Sequence, residues 1–343
     1  MVQTNILKGL LPWLRIKRMK KILFQFLIIV CPSLVLAQNE VTYSQYMFNN
    51  LLVNPAYAGY KEDININLLN RNQWVGIKGA PITQSLIADG AFFNNKNVGL
   101  GLSVLNDKIN IQGQTSVMAN YAYRLPVGAE ARLSFGVGLG AIQFSLNNDK
   151  AIIGDPTDAT FSGAQNHLSP DAKLGIYYNN AKFYAGLSAN NLLTTALNKN
   201  NQRAKYIILP PVHIFLTAGA ILNVNEDVKA KPSIMLRDDP NNVGNLDLNA
   251  SFLFKDVLWI GGSYRLGVDM WKTTNNLSGT FQQNSLVGLV EVFVAKQFRI
   301  GYAYDYSLSD LNSYSSGSHE LSLGFIIGNK NYKSSALTTP RYF

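Results

Sequence analysis

Residue types that support catalysis are scarce in this sequence. It contains one cysteine, Cys31, and three histidines among 343 residues. Cys31 lies in an apolar N-terminal segment that we expect to be removed, so the mature chain should contain no disulfide, thiol nucleophile or cysteine metal site. His319-Glu320 resembles the opening of a zinc-protease motif, but no second histidine follows four residues later. We therefore expect no metal site and no cofactor.

A catalytic relay is also missing. Ser318-His319-Glu320 supplies the residue types of a serine hydrolase. Adjacent residues of a strand, however, point to opposite faces and cannot form one relay together. The glycine-containing segments are not followed by a helix, so they do not form phosphate-binding loops. These absences predict that the protein is not an enzyme.

Charged residues are few and unevenly placed. They make up 15% of the chain, compared with about 25% in typical soluble proteins. The formal net charge is +9, but residues 1–37 contain six lysines and arginines and no acidic residue, so that removing them leaves +3. No basic run follows in the remainder. The sequence therefore predicts no nucleic-acid partner.

A long apolar run of the kind that forms a spanning helix is absent near the N-terminus. Met19-Lys20-Lys21 precedes an apolar core from Ile22 to Pro32, which is shorter than the roughly 20 residues that such a helix needs. A basic start, a short apolar core and a small residue at the exit are typical of a secretory signal peptide. We predict a signal peptide at residues 1–37, cleaved after Ala37, with Met19 as an alternative start.

From residue 63 onward the chain repeats segments of about ten residues in which apolar side chains alternate with small or polar ones. In the clearest segment, 131–140, Leu133, Phe135, Val137 and Leu139 alternate with serine and glycine. A period of two predicts β-strands. An apolar face backed by glycine and polar residues is typical of strands that face lipid outside and a lumen inside.

Fourteen such segments are present between residues 63 and 328. The predicted strands are 63–73, 83–93, 98–105, 114–124, 131–146, 171–178, 183–190, 212–224, 229–237, 246–254, 257–268, 285–294, 299–306 and 319–327. An even number suits an antiparallel outer-membrane β-barrel. The alternative, a secreted β-sandwich, would have shorter strands that bury one face against a second sheet. We therefore predict an all-β transmembrane barrel at 63–328.

The connections between these strands support the same interpretation. Those after even-numbered strands are short, whereas those after the fifth, seventh, eleventh and thirteenth strands are long. Outer-membrane barrels have short periplasmic turns and long extracellular loops. We therefore expect both mature termini in the periplasm, with residues 329–343 as a periplasmic tail.

Residues 38–62, which we call the lead-in, do not alternate. This segment is rich in tyrosine and asparagine, and Pro55 and Gly59 indicate a turn near its end. We expect an irregular or short helical segment that packs on the barrel.

Two blocks of sequence carry a resemblance to a known family. Tyr43–Asn49 and Asn54–Gly59 resemble the opening of the PorP/SprF membrane proteins of the Bacteroidetes type IX secretion system. Similar landmarks near the other end are 300–306, 317–321 and 340–343, with interior landmarks at 232–235 and 262–265. The likeness spans nearly the whole mature chain.

The resemblance implies an outer-membrane barrel that assists secretion or surface attachment of specific cargo. In such systems the cargo is often a large adhesin with a C-terminal sorting domain, and gliding motility is a related role. The implied partners are outer-membrane lipid, the cargo, and the secretion ring with its peptidoglycan-binding components. The alternative function is a diffusion channel or substrate transporter, because fourteen strands are wide enough to enclose a lumen.

The side chains that we expect to contact the lumen or a partner lie in the lead-in and in the last hairpin. They are Tyr46, Asn49, Asn54, Pro55, Tyr57, Gly59, Tyr304, Asp305, Ser318, His319 and Glu320. Turn chemistry alone also explains Asn54-Pro55. Across the last hairpin we expect a hydrogen-bond network in the lumen between Asp305 and His319.

Overall fold

The computed structural model describes residues 43–92, 96–147, 164–198, 209–238, 244–268, 284–294 and 297–328. The predicted signal peptide at 1–37 and the predicted tail at 329–343 lie outside these residues.

Fourteen antiparallel strands form one closed barrel. They are β1 (Ile64–Asn72), β2 (Ile82–Ala91), β3 (Val98–Ile109), β4 (Gln112–Pro126), β5 (Arg132–Asn147), β6 (Ala164–Asn179), β7 (Phe183–Asn190), β8 (His213–Ala220, continued by Leu222–Asn223), β9 (Val228–Asp238), β10 (Gly244–Phe254), β11 (Leu258–Val268), β12 (Ser285–Val294), β13 (Phe298–Ser307) and β14 (Ser318–Ile327). Each strand pairs with the next, and β1 pairs with β14. The predicted barrel and its strand number are therefore confirmed.

The first and last strands define the two ends of the barrel. Ile64 at the start of β1 pairs with Ile327 at the end of β14, and Asn72 pairs with His319. We call the end at Ile64 the terminal rim and the opposite end the distal rim. Connections at the terminal rim are short, and the longest is 92–97. Those at the distal rim include the long connections 148–163, 191–212 and 269–284.

Several strands are longer than their sequence pattern predicts, and β3 and β6 extend furthest beyond one predicted end. β3 continues to Ile109 rather than 105, and β6 begins at Ala164 rather than 171. Both extensions lie toward the distal rim, where pairs such as Asn106 with Thr115 continue the ladder. Backbone pairing does not require an apolar exterior, so the apolar pattern marks only part of each strand.

Side chains alternate between an apolar exterior and the interior. On β5, Phe135 and Leu139 are 47% and 57% exposed, whereas Ser134 is 1% exposed. Exposed aromatic residues lie near both rims, for example Tyr123 on β4 and Tyr306 on β13. Aromatic bands of this kind are typical of barrels whose exterior faces lipid.

Helical segments are short. α1 spans Leu192–Asn198, and 3-10 helices span Tyr46–Phe48, Asn50–Leu52, Pro55–Tyr57 and Asp310–Ser313. Of the helices that the structure describes, none is both long enough and apolar enough to cross a membrane.

The described part of the lead-in lies inside the barrel, where its contacts with the inner wall leave every residue from Tyr43 to Lys61 buried. Tyr43 accepts a hydrogen bond from Arg265, which is close to the distal end of β11. At its other end, Glu62 accepts a backbone hydrogen bond from Ala91 of β2 at the terminal rim. The described lead-in therefore runs through the lumen from the distal side to the terminal rim, where β1 begins.

Candidate functional site

The candidate site is the lumen together with the lead-in that occupies it. In the barrel wall, most inward-facing side chains are small or polar, as the strand alternation predicts. Two sets of wall residues hold opposite parts of the lead-in. One set consists of glycines and the other of charged side chains.

The glycines receive the second half of the lead-in. We call them the socket: Gly99 on β3, Gly136 on β5, Gly175 on β6 and Gly186 on β7. A Cβ at position 136 would overlap the backbone of Pro55 and Ala56. One at position 99 would overlap the backbone of Ala58. The lead-in backbone therefore packs where the wall has no side chain.

Asn54 and Pro55 form the local structure that fits this socket. Asn54 Oδ1 accepts the N–H of Ala56 at 2.9 Å and so caps the 3-10 helix Pro55–Tyr57. Proline at the first helical position loses no hydrogen bond there. Asn54 Nδ2 donates to the carbonyl oxygens of Ile176 at 3.0 Å and Leu187 at 3.4 Å. One asparagine thus shapes the turn and attaches it to β6 and β7.

Gly59 ends this turn in a conformation that favours glycine. Its φ is 66°, and a Cβ there would come within 2.6 Å of Gly99 Cα. Its N–H donates to Asp89 Oδ2 at 3.0 Å, and its carbonyl oxygen accepts a hydrogen bond from Arg124. The turn is therefore fixed to β2 and β4 as well.

Four tyrosines pack beside the socket. The rings of Tyr57 and Tyr60 stack with centroids 4.6 Å apart. Tyr177 of β6 meets both rings edge-on, at 5.6 and 5.3 Å, and stacks on Tyr184 of β7 at 5.8 Å. This cluster places apolar contact next to the glycine contacts.

The charged set lies toward the distal rim, and we call it the clasp. It consists of Arg71, Asp247, Arg265, Asp305 and Glu320. Arg71 bridges Asp305 at 3.0 Å and Glu320 at 3.2 Å. Arg265 bridges Asp247 at 2.8 Å and Asp305 at 3.1 Å. The side chains are at most 8% exposed, so the pairs are shielded from solvent.

The clasp holds the beginning of the described lead-in largely by its backbone. The two carboxylate oxygens of Glu320 accept the N–H groups of Ser44 at 2.8 Å and Gln45 at 2.7 Å. Arg265 donates to the carbonyl oxygen of Tyr43 at 3.2 Å, and Arg71 donates to Ser44 Oγ at 2.8 Å. These are charge-assisted hydrogen bonds, which are stronger than neutral ones.

Between socket and clasp, further residues of the lead-in contact the wall. Tyr46 accepts a hydrogen bond from Asn249 on β10. Lys231 on β9 donates to the carbonyl oxygen of Met47 at 3.5 Å and lies 5.6 Å from the ring centre of Phe48. A cavity of about 30 Å³ remains on this side, bordered by the lead-in and strands β8 to β11.

A third charged group joins the lead-in to the terminal rim. Glu62 forms ion pairs with Lys96 at 3.0 Å and, more loosely, with Arg124 at 3.9 Å. Partial burial and the neighbouring Glu62 raise the pKa of Asp63 from its ordinary value. The lead-in is thus held along its described length, and its junction with β1 is fixed.

The structure places nine of the eleven predicted site residues in the lumen or facing it. Those in the lead-in are Tyr46, Asn49, Asn54, Pro55, Tyr57 and Gly59, and those on the wall are Asp305, Ser318 and Glu320. Ser318 Oγ accepts the N–H of Trp74 at 3.2 Å.

Tyr304 and His319 face outward, and the expected network between Asp305 and His319 is wrong. In the β13–β14 register, Asp305 pairs with Ser318 and Tyr304 pairs with His319. Asp305 and His319 therefore belong to opposite faces of the sheet. His319 Nδ1 lies 2.6 Å from the hydroxyl of Tyr302, whereas Asp305 bonds to arginines inside the barrel.

Sequence reasoning missed the wall residues that complete the site. They are Arg71, Asp247 and Arg265 of the clasp and the four glycines of the socket. A charged residue within a membrane strand is expected to face the interior, and that rule marks the three charged residues. Within the described part of the chain, no group of three or more histidine, cysteine, aspartate or glutamate side chains is placed to hold a metal ion.

Comparison with known proteins shows one family match. A family model described as type IX secretion system membrane protein PorP/SprF matches residues 35–325. The comparison with curated proteins finds no match.

Solved structures similar to this chain include an outer-membrane protein and a hydrocarbon channel. The outer membrane protein Omp33 of Acinetobacter baumannii is 8% identical, with 78% of this chain and 100% of that chain covered and a TM-score of 0.45. The monoaromatic hydrocarbon channel CymD is 11% identical, with 84% and 94% covered and a TM-score of 0.47. The fold assignment depends on the strand pairing of the chain itself.

Proposed function

This chain belongs to the PorP/SprF family of type IX secretion system membrane proteins, and from that premise we propose that it is a non-enzymatic barrel subunit assisting the secretion or surface attachment of specific cargo. Family membership and a closed barrel with an apolar exterior place it in the outer membrane. Its first partner is therefore outer-membrane lipid.

The position of the lead-in inside the lumen is the observation that supports a subunit of this kind. A diffusion channel or transporter needs a continuous path for its solute, and fourteen strands can enclose one. Here the lead-in is buried from Tyr43 to Lys61 and is anchored at the socket and the clasp. A barrel closed by its own chain suits a scaffold or docking component better than a constitutive channel.

We orient the barrel with the terminal rim in the periplasm and the distal rim at the cell surface. The short connections at the terminal rim favour this orientation. The end of β14 then leads toward the secretion ring and its peptidoglycan-binding components, while the long distal connections meet cargo with a C-terminal sorting domain. The proposed periplasmic position applies to the C-terminal end of the barrel, whereas residues 38–42 at the start of the lead-in lie outside the described residues.

Deletion of the gene followed by profiling of secreted and surface proteins tests the proposed role. We expect the loss of one or a few proteins that carry a sorting domain, with unchanged outer-membrane integrity. Re-expression of the wild-type chain should restore them. An unchanged profile of secreted and surface proteins would refute the role in secretion.

A further inference from the structure

Keeping the charged side chains of the clasp permanently buried would cost desolvation free energy. Its five ionisable side chains are removed from water when the lead-in is in place. Replacing a buried ion network by packed apolar residues is often neutral or stabilising, so such a network is weak evidence for stability alone. Charged side chains are favourable on a wall that is exposed to water, or bound to a different chain, for part of the time.

The contacts of the clasp recognise a polypeptide backbone. Glu320 accepts two consecutive N–H groups, of Ser44 and Gln45, and Arg265 donates to the preceding carbonyl oxygen. The backbone bends at Ser44 and Gln45, so that both N–H groups point to the same carboxylate, and contacts of this kind bind a bent segment regardless of most of its side chains. The three carboxylates outnumber the two guanidinium groups, which favours a segment that presents N–H groups and lacks acidic side chains.

The two anchors also differ in how they can be released. In the socket, the lead-in backbone interlocks with the wall at glycine positions. In the clasp, side chains hold the lead-in through hydrogen bonds that water or another peptide can replace. The small cavity lies beside Tyr43 and Tyr46, on the side of the clasp.

We infer that the clasp is a binding site for a bent polypeptide segment, which the lead-in occupies in cis and which a segment of a second polypeptide occupies when the lead-in withdraws. The socket retains Asn54–Gly59 during this exchange. The inference depends on the geometry of the lumen and not on the role in secretion.

A cysteine-accessibility experiment on the purified full-length protein in lipid nanodiscs tests this exchange. Met47 is 1% exposed and lies outside the clasp, so Met47→Cys reports whether the lead-in has left the wall. The probe is a synthetic peptide with the sequence of residues 43–50, and the readout is the labelling rate with a soluble maleimide. A peptide of the same sequence with N-methylated backbone amides at the positions of Ser44 and Gln45 is the control, because it cannot donate the two hydrogen bonds to Glu320.

We expect excess peptide to raise the labelling rate of M47C about tenfold, and the N-methylated peptide to leave it unchanged. Adding Glu320→Gln should raise the rate by a similar factor without peptide, because a hydrogen bond to a charged group typically contributes about 1.5 to 3 kcal/mol, which is about tenfold or more. His319→Gln, on the outward face, is the matched control and should have no effect. If folded M47C protein is labelled slowly in the presence of every peptide, the inference is overturned. This outcome does not depend on whether the Glu320 variant folds.

Discussion

The socket and the clasp hold two parts of one short segment by different physical means. In the socket, Gly99 and Gly136 allow the lead-in backbone to approach the wall, and Gly175 and Gly186 leave room for the side chain of Asn54, so the contact depends on shape. In the clasp, Glu320 and two arginines bind Tyr43–Gln45 by charge-assisted hydrogen bonds. The close packing at the socket glycines leaves no room for an added side-chain atom. The hydrogen bonds of the clasp, in contrast, can be replaced by hydrogen bonds to water.

This difference assigns separate roles to the two anchors. We interpret the socket as the part that makes the lead-in an integral element of the folded barrel, since changing it forces backbone to move. The clasp sets how long the distal part of the lumen stays closed. The substitutions below break one anchor at a time.

The largest effect is expected at the socket. Gly136→Ala introduces a Cβ into the backbone of Ala56, which cannot move without leaving the socket. We expect a loss of about 3 kcal/mol in the free energy of unfolding, at the upper end for overpacked interiors. Denaturant unfolding of the protein in detergent or lipid, followed by heat-modified gel mobility, measures it.

Gly288→Ala is the matched control for this substitution. Gly288 lies on the outward face of β12, and an added Cβ meets nothing within 4 Å. The free energy of unfolding of the G288A protein should differ from that of the wild type by no more than about 0.5 kcal/mol. Equal stabilities of the G136A and G288A proteins would show that the lead-in does not occupy the socket.

A smaller effect is expected at the clasp. Glu320→Gln keeps the shape of the side chain but leaves one amide oxygen where the carboxylate accepts the N–H groups of Ser44 and Gln45. We expect the free energy of unfolding to fall by about 2 kcal/mol. The loss is no larger because the remaining charges can be hydrated once this end of the lead-in is released. Thermal melting followed by tryptophan fluorescence reports the change.

His319→Gln controls for a substitution at the neighbouring position of the same strand. His319 contacts Tyr302 on the outward face, so melting should be nearly unchanged. A loss at His319 equal to that at Glu320 would contradict the assignment of the two residues to opposite faces.

The smallest of the three effects is expected at the cap of the turn. Asn54→Ala removes the side-chain cap of Pro55–Tyr57 and the hydrogen bonds to β6 and β7 but leaves the glycine contacts in place. We expect a loss of about 1 kcal/mol, the usual cost of a lost helix cap. Asn70→Ala, whose side chain forms only an exposed hydrogen bond with Gln84 among the contacts that the structure describes, should cost less. A larger loss for N70A than for N54A would argue against the turn as an anchor.

The strands were predictable because each depends on a local pattern. Alternation identifies all fourteen, and the lengths of their connections agree with a barrel. The position of His319 shows the limit of this reasoning. Alternation fixes which residues of one strand share a face, but the pairing with the next strand depends on the register. A shift of one residue reverses the face of every side chain.

The site depends on contacts that no local pattern contains. Arg71 and Glu320 meet because the first and last strands close the barrel, 249 residues apart in sequence. The glycines of β5 predict a small interior face, but only the path of the lead-in shows that Ala56 packs against Gly136. The Asn54-Pro55 turn was recognisable from its sequence, whereas its binding surface was not.

Planar-bilayer recording of the purified full-length protein tests most directly whether the lead-in closes the barrel. We expect folded wild-type protein to show no steady conductance, because the described lumen contains the lead-in from Tyr43 to Lys61. A steady open-pore conductance from the folded wild-type protein would contradict this structure of the lumen and would favour a channel.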